Sequence, residues 1–144
     1  MKDPGGTHDV PPQVVRDLEA NLRRDTVAAL LAAADGRLTA RQLLDAKDET
    51  GAVRFALELS GPDLDPTILY IDPETSLVVK QSYVAGGRGT PLVEEVFSDY
   101  RTVDGVQVAF TTIVRIYGES VLDRRVTAFE VNAPLNPALF TRPS

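Results

Sequence analysis

The sequence predicts an α+β domain, an N-terminal helix or kinked helix pair packed on an antiparallel meander of about seven strands. Two observations carry this. Apolar residues recur at helical spacing up to Gly36 and at a period of two thereafter. From there on, turn-forming pairs interrupt the chain every ten or so residues, the punctuation of sequential hairpins. A third observation sets the scale: 144 residues with 43% hydrophobic content suffice for one core and one domain. Residues 1–11, rich in Gly, Pro, Asp and Thr, read as a flexible lead-in, and residues 12–144 as the single domain.

The first helix begins at Pro12, whose missing N–H has no partner to lose in a first turn. Val14, Val15, Leu18 and Leu22 then fall on one stripe, with Arg16, Glu19 and Arg23 facing away. A second short helix is expected from Thr26 to Ala34, with Asp25 as N-cap and Gly36 as the stop; a kink near Arg24 and Asp25 would make the two one broken helix. Residues 37–49 are ambiguous by pattern and are read as a strand.

Further on, "VRFALEL" alternates Val53, Phe55, Leu57 and Leu59 against Arg54, Ala56 and Glu58. "TILYI" and "SLVVKQSYV" form a hairpin through "DPET", where Pro73 presets the turn and Asp72 accepts from the backbone. After "GGRGTP" comes "LVEEVFSDYR", joined by Asp104-Gly105 to "VQVAFTTIVRIY", because that pair tolerates the positive φ of a tight turn. "YGES" leads into a last strand, "VLDRRVTAFEV". The proline-rich tail is expected to run over the surface, anchored by Leu139 and Phe140. In the last strands both faces carry apolar residues: Val106, Val108, Phe110, Val114 and Ile116 on one side, Ala109, Ile113 and Tyr117 on the other. One helical element covers one face of a sheet, so a lipid, a peptide, another subunit or a further domain is expected on the remainder.

Charge and composition exclude several functions. A net charge of -6 repels phosphate backbones, and the 12 arginines and 3 lysines are scattered, so no nucleic-acid partner is expected. No cysteine means no disulfide, thiolate nucleophile or sulfur-ligated metal. No run approaches the ~20 apolar residues of a membrane-spanning helix, and the first residues carry no signal-peptide pattern. The single histidine, His8, lies in the lead-in, which leaves a nucleophile without a histidine base. Gly86, Gly87 and Gly89 resemble a phosphate loop only superficially, because no helix is expected to follow them. Asp63 and Asp65 supply too few oxygens for a calcium loop; Glu94 and Glu95 point to opposite faces; Asp99 and Arg101 suit a salt bridge. The expectation is a protein that is not an enzyme and needs no cofactor and no metal.

The order of three segments, "TILYIDPETSLVVKQSY", "EEVFSDYRTVDGVQVAF" and "RRVTAFEVNAPLNPALFTRP", resembles the C-terminal half of the lipoprotein-sorting, LolA/LolB-like superfamily. The matching residues are Asp72, Pro73 and Thr75, then Asp99 to Arg101 with Asp104 and Gly105, then Val131, Asn132, Pro134, Phe140 and Pro143. Similar segments occur as tail domains of larger exported bacterial proteins, including insulinase-like zinc proteases. The resemblance implies a curved half-barrel sheet outside the cytoplasm, in the periplasm, whose apolar hollow receives acyl chains. It also favours strand for residues 37–47. The motifs are turns and core positions, which specify fold rather than activity.

Two functions follow as expectations. The first is a domain that holds a hydrophobic ligand, a lipid or acylated partner, against an aromatic wall of Phe55, Tyr70, Tyr83, Phe97, Phe110 and Phe129. The alternative is an interaction module of a larger exported protein that packs on its parent, or on a second copy through an open sheet edge, and binds no small molecule.

Overall fold

A computed structural model describes residues 9–62, 64–84 and 92–141, together with the backbone of residues 2–3 and 6–7. His8, Asp63 and the "GGRG" loop lie outside the described residues. Lys2–Asp3 (β1) and Gly6–Thr7 (β2) pair antiparallel. Two helices follow, Pro12–Arg24 (α1) and Thr26–Ala34 (α2). Asp25 caps α2, its side chain accepting from the Ala28 N–H at 3.2 Å. Gly36, at φ +77°, lets the Arg37 N–H turn back onto the Ala32 carbonyl at 2.8 Å and close the helix.

The remaining strands are Thr39–Gln42 (β3), Ala46–Lys47 (β4), Val53–Gly61 (β5), Leu64–Ile71 (β6), Val78–Val84 (β7), Leu92–Val103 (β8), Val106–Ile116 (β9) and Glu119–Arg125 (β10). They form one open antiparallel sheet in the order β10-β9-β8-β7-β6-β5-β3, with β4 also paired to β5. This is the expected meander, with residues 37–49 supplying two short strands rather than one. Its hairpins use the chemistry read from the sequence. Asp104 and Gly105 take φ +48° and +79°, and Asp72 accepts from the Glu74 N–H at 2.8 Å. Tyr117-Gly118 repeats the left-handed pair between β9 and β10.

Three expectations are corrected. The last strand stops at Arg125 instead of reaching Val131, and the chain beyond it leaves the ladder after one more bond, Val126 N–H to the Phe110 carbonyl. Leu139 and Phe140 sit on a short 3-10 turn, Pro137–Phe140, with both side chains exposed rather than anchored in the core. The stripe of α1 is also exposed at Val14, Val15, Leu18 and Leu22, and the buried residue of that helix is Arg24.

The core lies where α2 meets the middle of the sheet. Ala29 is fully buried against Leu59, Leu69 and Val78, and Leu57, Ile71 and Phe97 pack around them. A methyl side chain at this contact lets the helix approach the strands closely. Polar groups fix the same approach. Gln81 is 1% exposed; its Nε2 donates to the Arg24 carbonyl at 2.7 Å and to Thr67 Oγ1 at 3.0 Å, while its Oε1 accepts from Thr26 Oγ1 at 3.5 Å. The Gln81 amide thus satisfies the carbonyl left open at the end of α1.

Gln81→Ala removes the donor from the buried Arg24 carbonyl and Thr67 hydroxyl, and is expected to cost about 1–3 kcal/mol for the stranded groups. Urea unfolding measures this; a change below about 0.5 kcal/mol would mean that water replaces the amide.

Candidate functional site

Because α2 stands over β5, β6 and β7, the helix-facing side of β8, β9 and β10 extends beyond it. Between them lies a hollow of about 720 Å³. Val27 and Leu30 of α2 form one wall; Val78, Phe97 and Tyr100 form the floor. Val106 to Ala109 of β9 and, from the chain after β10, Val126, Phe129 and Val131 complete it. Tyr100 is held in the floor by its hydroxyl, which donates to the Val78 carbonyl across the β7–β8 pair. Most of the lining is aliphatic or aromatic. Among its charged members, Arg124 leads to a second group of residues.

Arg124 forms an ion pair with Glu95 at 3.5 Å, reaching over β9 to β8. The Glu95 side chain is only 18% exposed. Burial pushes its carboxyl above the ordinary value of 4.5; Arg124 and, less, Arg24 pull it down, and Asp25 pushes it up. Arg24 itself is buried, with its guanidinium 4.5 Å from the centroid of the Tyr83 ring and Nη1 donating to Asn21 at 3.2 Å. Its Nε has no hydrogen-bond partner among the described residues. Burial, and then Glu95, raise the Tyr83 hydroxyl above 10.0. A polar cluster therefore underlies the α1–α2 junction, and Arg124 links it to the apolar hollow.

The six aromatic residues expected to form a wall do not share one surface. Phe97 and Phe129 line the hollow. Tyr83 faces the helices but lies under Arg24. Phe110 is buried, its ring capped by Arg101 at 4.5 Å from the centroid. Tyr70 alternates with the helix-facing Leu69, so it points to the other side of the sheet, where Lys80 covers its ring. Phe55 lies near the end of β5 opposite Ile71, partly exposed and away from the hollow. The sequence does not single out the hollow's other walls, Leu30, Tyr100, Val126 and Val131; for Val131 alternation carries no signal, because the chain there has left the ladder.

Among the described residues, no helix is long and apolar enough to cross a membrane. No family model matches the chain, and neither does any curated protein. A solved structure does: a domain from Vibrio parahaemolyticus provisionally described as an outer membrane lipoprotein-sorting protein domain, 18% identical, with a TM-score of 0.45. The similarity covers 67% of this chain and 45% of that one. At that distance it carries no residue roles across.

Glu95 gives the site a pH signature. Its folded-state value is raised, so the native protein holds this proton more tightly than the unfolded chain. Stability therefore falls as pH rises from about 4.5 through the raised value, and the cost is present in full above it. Glu95→Gln removes this dependence. Urea unfolding at pH 4 and pH 7 is expected to show the variant gaining on the wild type at the higher pH; a difference that is flat with pH would contradict the raised value.

Proposed function

We propose that this protein is a non-enzymatic binding domain, acting outside the cytoplasm, that holds one apolar chain of a lipid or an acylated partner in the hollow beside α2. The observation that carries the reading is the hollow itself: about 720 Å³ lined largely by apolar side chains, within the ~300–1,000 Å³ typical of ligand sites. Burial of about ten methylenes there would contribute on the order of 8 kcal/mol before ordering costs. The sequence resemblance supports the location and the ligand class. The net charge of -6 gives no reason to expect nucleic acid as a partner.

Native mass spectrometry of the gently purified protein, followed by organic extraction, tests this reading. One acyl lipid per chain is expected, or stoichiometric uptake of added palmitate. Ala109→Trp, which fills the hollow from β9, should weaken palmitate binding about tenfold or more, a loss of ~1.4 kcal/mol. Uptake unchanged by Ala109→Trp would place the lipid elsewhere, and no uptake would end the proposal.

The exposed stripe of α1 favours a second reading, a module that docks on another protein. Val14, Val15, Leu18 and Leu22 are all more than a third exposed on a helix whose pattern is that of a buried face. If that face self-associates, sedimentation will show a concentration-dependent dimer that Leu18→Glu with Leu22→Glu abolishes. A monomer throughout would exclude pairing between copies.

A further inference from the structure

A second concavity lies on the side of the sheet away from α2. Leu69 and Gln81 face the helices, so their neighbours Tyr70 and Lys80, which are paired in register, face the other way. Arg54 shares that side through Ala56, the partner of Tyr70; Arg115 does so as the partner of Glu94. With the turn at residues 46–50 they enclose about 300 Å³, and Tyr70, Val79 and Val96 give it an apolar floor.

The cations around this space are unequally committed. Arg54 is saturated, with Nη2 2.9 Å from Asp48 and Nη1 3.4 Å from Asp72. Asp48 is fixed in turn by the Thr50 hydroxyl, the Thr50 and Ala52 N–H groups and Arg54, and its pKa is lowered to about 2. Lys80 is held by Glu94 at 3.1 Å and lies 4.3 Å from the centroid of the Tyr70 ring. Arg115 differs. Its side chain is 27% exposed, and its ion-pair partner is Glu49, which is 84% exposed at the tip of the turn, 2.9 Å away. Lys47 lines the same space and makes no ion pair among the described residues.

An exposed glutamate is a cheap partner to lose, because water solvates it as soon as it leaves. A guanidinium that is mostly buried is a costly group to leave bare, and its planar fork suits a carboxylate or a phosphate. The geometry points to a binding site for a small organic anion with a flat apolar body. Its acid group takes the place of Glu49 on Arg115 and gains Lys47, while its body covers the Tyr70, Val79 and Val96 floor. Glu49 stands in for the ligand's acid group in the empty site. Asp48 also lines the space and is held by Arg54, while Asp72 and Glu94 hold Arg54 and Lys80 from beside it. Once Glu49 has swung away, Arg54 and Lys80 keep their carboxylates while Arg115 and Lys47 have none among the described residues, so a ligand of one or two negative charges is matched. The space lies across the sheet from the hollow and shares only Phe97 with its lining, so the two sites can be tested separately.

Phenyl phosphate titrated into the 144-residue protein, followed by amide chemical shifts, tests the site, with phenol and inorganic phosphate as the two halves of the probe. Phenyl phosphate is expected to saturate shifts at residues 47–50, Val79, Val96 and Arg115, and to bind more tightly than either half. Arg115→Gln should weaken it about tenfold, the worth of one charge-assisted hydrogen bond. Glu49→Gln should tighten it several-fold by removing the internal competitor, and the exposure of that residue keeps this variant folded. Unsaturable shifts, equal binding of phenol or of inorganic phosphate, or a Glu49→Gln variant that binds no better would overturn the assignment.

Discussion

One buried amide sets the geometry on which the rest depends. Gln81, in the middle of the sheet, reaches up to the last carbonyl of α1 and sideways to Thr67, and Thr26 at the start of α2 completes its bonding. With Ala29 beside it offering only a methyl group, the α1–α2 junction is drawn down over β5, β6 and β7. A larger helix residue would lift the helix, and an apolar residue at position 81 would strand the carbonyl. Both constraints fix α2 over one half of the sheet, and the uncovered half becomes the hollow.

The two sides of the sheet then follow different physics. On the helix side the contacts are apolar, except for the bonds of Gln81 to Arg24, Thr67 and Thr26 and the cluster of Arg24, Tyr83, Glu95 and Arg124 near the junction. Glu95 has given up more solvation there than its ion pair returns, which is why its carboxyl is raised. On the far side, charges less than a third exposed are laced across the strands, Arg54 with Asp48 and Asp72, Lys80 with Glu94. Part of what each pair gains is offset by the solvation its members give up. Their use is to order the β4–β5 turn and to leave Arg115 with a weakly held partner.

Much of this fold is legible in the sequence, because it is written in local chemistry. Asp25 caps a helix wherever a helix starts after it, and Asp104-Gly105 makes a tight turn wherever two strands flank it. The alternation of β5 is read directly as well. Its two faces are both used, Leu57 and Leu59 under the helix and Arg54 on the ion-paired side. What depends on distant partners is not legible. Gln81 in "SLVVKQSYV" looks like an exposed strand residue until α1 ends above it. Arg24 looks solvated until Tyr83 lies beneath it. The aromatic wall fails as a pattern for a related reason. Tyr70 and Tyr83 look alike in the sequence, yet Tyr70 alternates with the helix-facing Leu69 and points away, while Tyr83 shares the helix side with Gln81 and lies under Arg24. Phe129 contributes to the hollow after the chain has left the sheet, where a period of two has no meaning.

The central claim is that an apolar chain lies in the hollow beside α2. The protein has no tryptophan, so Phe129→Trp introduces a single emitter into the hollow's wall, and Tyr70→Trp one on the opposite side of the sheet. Titration with a brominated fatty acid is predicted to quench Phe129→Trp saturably, at about one equivalent, and to leave Tyr70→Trp unquenched. Equal quenching of the two variants, or none in Phe129→Trp, would contradict the account.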